Sequence, residues 1–380
     1  MNIGFVVDSL NVRSGARAPI KIAEGLAKIG ETVTVYSYKF GLDPKVKVAI
    51  EHLGVKVVFI DSLSSRLGRF LTFFKAIKPL RKGDQDLISC HSSIPLFFGA
   101  RLSGKPVIYT YYGTQLPSFD QKMNQEIGFS QSILKRTKFF LANRIILFLE
   151  ILRVNLADRT LGISKSTVEE ANRLYHRKID PIYLGADLGD LGEKKAFKRI
   201  KGGLLLLSVS RIVPYKGFHR LIKAFNKLVK NFPTSYLVLV GTSPNLEYLN
   251  YLQKEKNSQT EIILNISDQL LKQYYQNCDI YLSGTSWEGF GLPFLEAQNY
   301  GKPVLGFKNT SLFEVVADGE TGCLAGNQDD FEVKLKLMME DKTLREQMGK
   351  KAKEFAKQFT WEKTAYEYRQ YFKDFLKGTL

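Results

Sequence analysis

Short apolar runs alternate with amphipathic stretches along most of the chain. Runs at 3–7, 32–36, 55–60, 87–90 and 107–111 predict strands, with helical patterns between them, one of them at 19–29. A polar, glycine-bearing stretch at 185–201 interrupts the series. It restarts with strands at 204–208, 236–240, 261–264, 280–282 and 303–306, and with helices near 218–230, 268–276 and 293–300. Strands alternating with helices of this length imply parallel sheets covered on both faces. Two such series predict an α/β protein of two Rossmann-like, doubly wound domains facing each other across a cleft, at 1–187 and 188–360. Ligands of open sheets gather at the carboxyl ends of the strands, here in that cleft. A final stripe of Trp361, Ala365, Tyr368, Phe372 and Phe375 predicts a helix over 361–377 packed onto one domain.

Composition narrows the class. The 380 residues exceed one ordinary core, and 44% hydrophobic against 24% charged residues is a globular balance. Apolar patches such as 145–149 fall far short of the roughly 20 residues of a spanning helix. MNIGFVVDSL reads as a strand, because it lacks the basic region and cleavage site of a signal peptide. Cys90, Cys278 and Cys323 lie far apart with no CxxC, which fits reduced thiols and a cytoplasmic protein. The net charge is +17, of which +11 falls in residues 1–187. A basic surface of this kind suits polyanions, anionic lipid or phosphorylated ligands.

Candidate chemistry is concentrated in SWEGFGLPFLEAQNYGKP, from Ser286 to Pro303. Pro293 suits a helix start, and Gly301 followed by Pro303 suits its end. The amides of Gly291, Leu292 and Phe294 then form an anion site at the positive end of the helix dipole. Gly289 and Gly291 allow close approach of a ligand to the backbone. Glu296, one turn into the helix, can accept hydrogen bonds from a diol such as a ribose. Glu288, on the loop before the glycines, faces whatever lies beyond the phosphate. A second stretch, LLLLSVSRIVPYKGF, places Arg211 and Lys216 on the loop after an apolar strand. Arginine supplies a planar fork and lysine a mobile point charge, so the pair can hold a diphosphate.

The stretches SRIVPYKGF, SWEGFGLPFLEA, YGKPVLG and FEVVADGETGCLA, in this order and spacing, resemble the retaining, nucleotide-sugar-dependent glycosyltransferases of the GT-B fold, family-4 type. The strong part covers about 120 residues and the weaker pattern nearly the whole chain. The resemblance implies that Arg211 and Lys216 bind the donor diphosphate and that Glu296 binds the ribose. Glu288, with Gly289, Phe290, Gly291 and Leu292, would contact the transferred sugar. Gly15 would lie near the phosphates, and the nucleobase would sit against a loop that includes Ile263 and Leu264. Glu288, Arg211 and Lys216 become the expected catalytic residues, transfer proceeds with retention, and positive charge from the protein makes a metal or other cofactor unnecessary. The first domain would be the acceptor side, the second the donor side, and the last helix, 361–380, would cross back to the first. The chain departs from the family pattern at Ser14-Gly15, at Leu184-Gly185, at Asn309-Thr310, where a diglycine is usual, and at Tyr112, where a histidine is usual. The departures suggest altered specificity. A nucleotide-sugar epimerase of the same fold and a binding module without turnover are the alternatives.

Other features compete for a role. Asp84-Gln85-Asp86 looks like a metal-binding DxD but precedes a strand, where aspartates commonly serve as solvated entry residues. The four histidines share no ligand spacing; His91, at a strand end, is the acceptor-side candidate beside Tyr112. Two glutamates could serve a glycosidase, but hydrolysis needs no diphosphate clamp. No GxGxxG follows the first strand, which argues against an NAD enzyme, and nucleic acid is not an expected partner. From Arg66 to Lys82 there are six basic residues and no acidic one, with Leu67, Phe70, Leu71, Phe74 and Ile77 on one helical face. That face suits either the core or an anionic membrane surface. The membrane case implies a peripheral protein on the inner face of the membrane. Residues 133–159, basic and very apolar, read as a buried helix. The expected partners are a nucleotide-sugar donor, UDP- or GDP-linked, and a glycan or lipid-linked acceptor.

Overall fold

The computed structural model describes residues 1–11, 17–39, 42–61, 71–92, 94–113, 123–128, 133–187 and 203–380. Gly15, residues 66–70 of the basic stretch and the linker at 188–201 lie outside them. The chain forms two compact units. Unit 1 comprises Met1–Thr114, Arg144–Gly185 and Trp361–Leu380; unit 2 comprises Gln115–Asn143 and Ala186–Thr360. A single cut at 187 would assign the described residues 123–128 and 133–143 to the first domain, whereas they group with the second.

Unit 1 runs β1 (Asn2–Val7), α1 (Arg17–Lys28), β2 (Thr32–Tyr38), α2 (Pro44–His52), β3 (Lys56–Ile60), α3 (Phe73–Lys82), β4 (Leu87–His91), α4 (Ile94–Arg101), β5 (Val107–Tyr111), α5 (Ile133–Leu156, in this unit from Arg144), β6 (Arg159–Gly162), α6 (Lys165–Tyr175) and β7 (Asp180–Pro181). Its strands form one parallel sheet in the order β3-β2-β1-β4-β5-β6-β7. Five consecutive residues of β1, from Ile3 to Val7, are buried, as a strand covered on both faces requires.

Unit 2 runs β8 (Leu205–Val209), α7 (Phe218–Leu228), β9 (Tyr236–Gly241), α8 (Leu246–Glu255), β10 (Thr260–Leu264), α9 (Asp268–Asn277), β11 (Ile280–Leu282), α10 (Leu292–Asn299), β12 (Val304–Phe307), α11 (Leu312–Val315), β13 (Gly322–Ala325), α12 (Gln328–Glu340) and α13 (Lys342–Ala356). Its parallel sheet has the order β10-β9-β8-β11-β12-β13. Leu206, Phe225, Leu239, Ile280 and Leu305 belong to its main core. Two Rossmann-like doubly wound domains are thus observed.

The last helix, α14 (Trp361–Leu376), belongs to unit 1 and packs on α1. Its buried stripe is Thr364, Ala365, Tyr368, Tyr371 and Phe372. Thr364 donates to the Tyr183 carbonyl at 2.9 Å, and Tyr371 donates to Asp180 at 3.1 Å.

Two helices differ from expectation. Residues 133–159 were expected to be a buried helix, yet on α5 Ile145, Phe148 and Ile151 are exposed. Among the described residues of this segment, the buried ones are Glu150, Val154 and the following Ala157, and Val154 and Ala157 join the core of unit 1. On α3 the core contacts are Ala76 and Leu80, whereas Leu71 and Phe74 of the expected apolar face are exposed and Ile77 is half-buried. Among the described residues, no helix is long and apolar enough to cross a membrane.

Candidate active site

In each sheet, consecutive strands reverse direction of travel at one point, β1/β4 in unit 1 and β8/β11 in unit 2. Loops leaving the two central strands diverge there and leave a crevice at the strands' carboxyl ends. The loops after β8 and β11 carry Arg211, Lys216 and Glu288.

Backbone contact brings these two loops together. Gly217 sits at φ 66°, and a Cβ on it would stand 2.0 Å from the carbonyl oxygen of Gly284. A Cβ on Gly284 would stand 2.1 Å from the carbonyl oxygen of Gly217. Only a pair of glycines permits this approach. The Ser286 amide and hydroxyl both donate to the Tyr215 carbonyl, at 2.9 and 3.1 Å. As a result Lys216 Nζ donates to Glu288 Oε2 at 2.6 Å, with both side chains largely covered. Arg211 donates to the Tyr215 hydroxyl at 2.7 Å, and Lys216 Nζ lies 5.0 Å from the Tyr215 ring centre. Tyr215 thereby spaces the two cations on one short loop.

The α10 start has Gly291 as its cap, at φ 104°, with Pro293 in the first turn. No side chain caps this end. The Phe294 amide was expected to point outward, but it donates to the Gly291 carbonyl at 3.0 Å. The tight first turn consumes that donor. The Phe290 ring is buried edge-on against Phe359. Glu296 accepts from the Tyr275 hydroxyl at 2.9 Å. Tyr281, whose hydroxyl donates to the Val209 carbonyl, is pushed well above the ordinary tyrosine range by burial and then by Glu288 and Glu296. Both carboxylates therefore act on one buried hydroxyl between the two loops.

Thr310 explains one departure from the diglycine pattern. It holds φ 28°, in the left-handed region where glycine is usual. Its hydroxyl donates to the Glu288 carbonyl at 2.7 Å and accepts from the Glu288 amide at 2.9 Å. Asn309 donates to the Thr285 carbonyl. The polar side chains fix the Glu288 backbone in return for the unfavourable torsion.

Ile263 and Leu264 are the last two residues of β10, the edge strand, paired with Val240 and Gly241, and not part of a loop. In unit 1, His91 ends β4 at the switch point, and its Nδ1 is hydrogen-bonded to the Tyr112 hydroxyl at 2.8 Å. Its Nε2 bonds Ser89 at 2.8 Å, and its ring stacks on Phe5. Burial holds the imidazole down to about 3. The two acceptor-side candidates thus touch, and an imidazole stands beside Tyr112 after all. Asp86 accepts from the Asn2 amide at 2.8 Å, a strand-entry role. No group of three or more metal-ligating side chains occurs among the described residues.

Sequence reasoning missed Tyr215, Gly284, Tyr275 and Tyr281, and marked Thr310 only as a departure from the diglycine pattern. It also missed Met123, which is buried against Val213, Tyr215 and Trp287 in unit 2. The nearby Glu126 binds Arg220 at 2.5 and 2.9 Å and approaches His219 at 3.5 Å. The PYKG tetrapeptide was the only local signal for the Tyr215 spacer; the rest depends on contacts distant in sequence.

His219 is buried, its Nδ1 bonded to Tyr248 at 2.8 Å, and desolvation lowers it to about 4. The unfolded chain binds a proton near the ordinary value of 6.5, the folded chain only near 4. Stability contributed by the neutral ring is therefore complete above 6.5 and is lost as pH falls toward 4, at about 1.4 kcal/mol per pH unit. The urea midpoint is expected to drop between about pH 7 and about pH 5, less steeply in His219→Gln. An unchanged slope in that variant would place the acid sensitivity elsewhere.

Two family models match, "Glycosyltransferase Family 4" over residues 16–190 and "Glycosyl transferases group 1" over 192–355. The capsular polysaccharide biosynthesis glycosyltransferase CapM of Staphylococcus aureus is 26% identical over 271 residues, 65% of this chain and 70% of that protein. The crystal structure of Anabaena HepE in complex with UDP and glucose superimposes with a TM-score of 0.76 at 18% identity, over 98% of this chain and 100% of that one. WaaG, a glycosyltransferase involved in lipopolysaccharide biosynthesis, gives 0.71 at 16% identity, over 99% and 100%. Both likenesses place the fold among GT-B glycosyltransferase structures.

Proposed function

The chain belongs to the group 1 glycosyltransferases, and from that premise we propose that it transfers a hexosyl group from a nucleoside diphosphate sugar, with retention and without a metal, to a glycan or lipid-linked acceptor. The observation that carries this reading is the Lys216–Glu288 pair, held at the β8/β11 switch point beside Arg211 and the α10 start.

Breaking the anomeric C–O bond leaves negative charge on the diphosphate. Arg211, Lys216 and the amides before Phe294 meet that charge, the office a metal would otherwise fill. Glu288, relieved of Lys216 when the lysine turns to the phosphate, faces the sugar, and Glu296 takes the ribose hydroxyls. In unit 1, His91 stays neutral at physiological pH, so the His91–Tyr112 pair offers the acceptor a polar contact without adding charge. UDP is the first nucleotide to test, since HepE is described with UDP bound. The name of CapM supports an acceptor of the capsular or envelope glycan kind, and we place the protein at the inner face of the membrane, where lipid-linked acceptors are presented.

Calorimetric titration with UDP and with GDP in EDTA, beside Arg211→Ala, tests the donor site. Metal-free binding of one nucleotide that disappears in the variant is the expected result. Binding of neither, or binding that needs a divalent ion, removes the reading.

A further inference from the structure

We propose that Tyr275 is the positioning residue for ribose recognition, its hydroxyl holding the Glu296 carboxylate in the orientation that meets the ribose of the donor. The inference rests on the proposed role of Glu296 and names the group through which that glutamate is aimed.

Glu296 has need of such a group. It lies one turn into α10 and is partly exposed, and three torsions separate its carboxylate from the backbone. Glutamate is among the side chains that lose most rotamer freedom when fixed. A ligand that has to fix it on arrival binds more weakly for that reason, and a carboxylate fixed beforehand removes the penalty.

Tyr275, near the end of α9, supplies the restraint. Its hydroxyl donates to Glu296 Oε2 at 2.9 Å. A hydrogen bond to an ionised acceptor is stronger and more directional than one between neutral groups.

The restraint works only if the tyrosine is itself fixed, and two neighbouring rings fix it. Tyr275 is 3% exposed. Its ring stacks against Tyr300 at an interplanar angle of 3° and against Tyr281 at 28°, with centroids 6.0 Å away in each case. Tyr300 is the residue that ends α10. Tyr281 stands in β11, donates to the Val209 carbonyl at 3.2 Å and meets the Phe294 ring edge-on. The hydroxyl is therefore carried on a ring tied to the sheet through Tyr281 and to the end of α10 through Tyr300. A covered phenol needs an acceptor. Tyr281 finds one on the backbone, whereas Tyr275 gives its proton to the one side chain proposed to read the ribose.

The test compares UDP with 2′,3′-dideoxy-UDP, which lacks both ribose hydroxyls, by calorimetry on the whole protein. GDP and its dideoxy analogue replace them if GDP is the nucleotide that binds. The wild-type protein is expected to prefer the complete nucleotide by at least about tenfold. Tyr275→Phe keeps the ring and its stacking and removes the hydroxyl alone. It is expected to weaken the complete nucleotide about three- to tenfold and to leave the dideoxy analogue at its wild-type affinity. Glu296→Gln is expected to lose most of the preference, and Tyr275→Phe added to it to change nothing further, because the tyrosine acts through the glutamate. An unchanged preference in Tyr275→Phe overturns the proposal. Equal weakening of both ligands assigns the tyrosine to packing and overturns it as well. A wild-type protein that does not distinguish the two ligands takes the ribose away from Glu296, which removes the inference and leaves the diphosphate clamp standing. Binding of neither UDP nor GDP removes the donor site itself.

Discussion

Lys216→Ala is expected to lower kcat/KM by about a hundredfold or more. A preorganised donor aimed at developing charge is worth about 2.7–4 kcal/mol when removed, and Lys216 is placed for that work. Its side chain is only 10% exposed, its ammonium is held at 2.6 Å by Glu288, and the loop beneath it is pinned by the Ser286–Tyr215 bonds. Arg211→Ala should cost a similar factor, because Tyr215 holds the guanidinium on the same loop. The two losses should fall short of additive, since both cations answer one leaving group. Initial rates with the donor identified by calorimetry decide the matter. Near wild-type turnover in both single variants would contradict the leaving-group assignment.

Gly284→Ala is expected to have an effect of the same order through the backbone alone. The residue has an ordinary torsion, so the substitution tests close approach alone. The added methyl would stand 2.1 Å from the Gly217 carbonyl oxygen, a backbone atom that cannot swing aside. The β8 and β11 loops must separate, and Lys216 and Glu288 move apart with them. A misplacement of about 1 Å at a reacting centre costs on the order of a hundredfold. The signature is weakened UDP affinity together with reduced turnover, while the circular dichroism of the folded protein is retained. Wild-type affinity and rate in Gly284→Ala would show that the close approach is dispensable.

The sequence made the sheet strands of both units largely legible, because apolar runs buried on both faces carry their signal locally. It also displayed Arg211, Lys216, Glu288 and Glu296, whose neighbours are glycines and prolines with fixed backbone roles. What it could not display was reciprocal. Gly284 matters because Gly217 lies opposite, and Thr310 matters because Glu288 offers both an amide and a carbonyl to one hydroxyl. Tyr281 is an ordinary strand residue until two carboxylates are folded toward it. The α5 helix misled for a different reason. Apolar residues all round it suggested burial, but a helix on a sheet covers only one stripe, and pattern alone does not tell which side is left outward.

The chain path of unit 1 has a consequence for biosynthesis. Tyr368 of α14 closes over Thr110 at 3.2 Å, and Arg369 binds Glu31 at 2.6 Å, so the first unit is finished by a helix that is made only after unit 2. About 190 residues separate Gly185 from the end of α14. At roughly 5–20 residues per second, the nascent first unit stands on the ribosome for on the order of ten seconds or more with the flank of α1 uncovered. Unit 2 is complete at Thr360, before that gap is filled. The N-terminal half is thus synthesised first and sealed second, and during that interval a chaperone has apolar surface to hold.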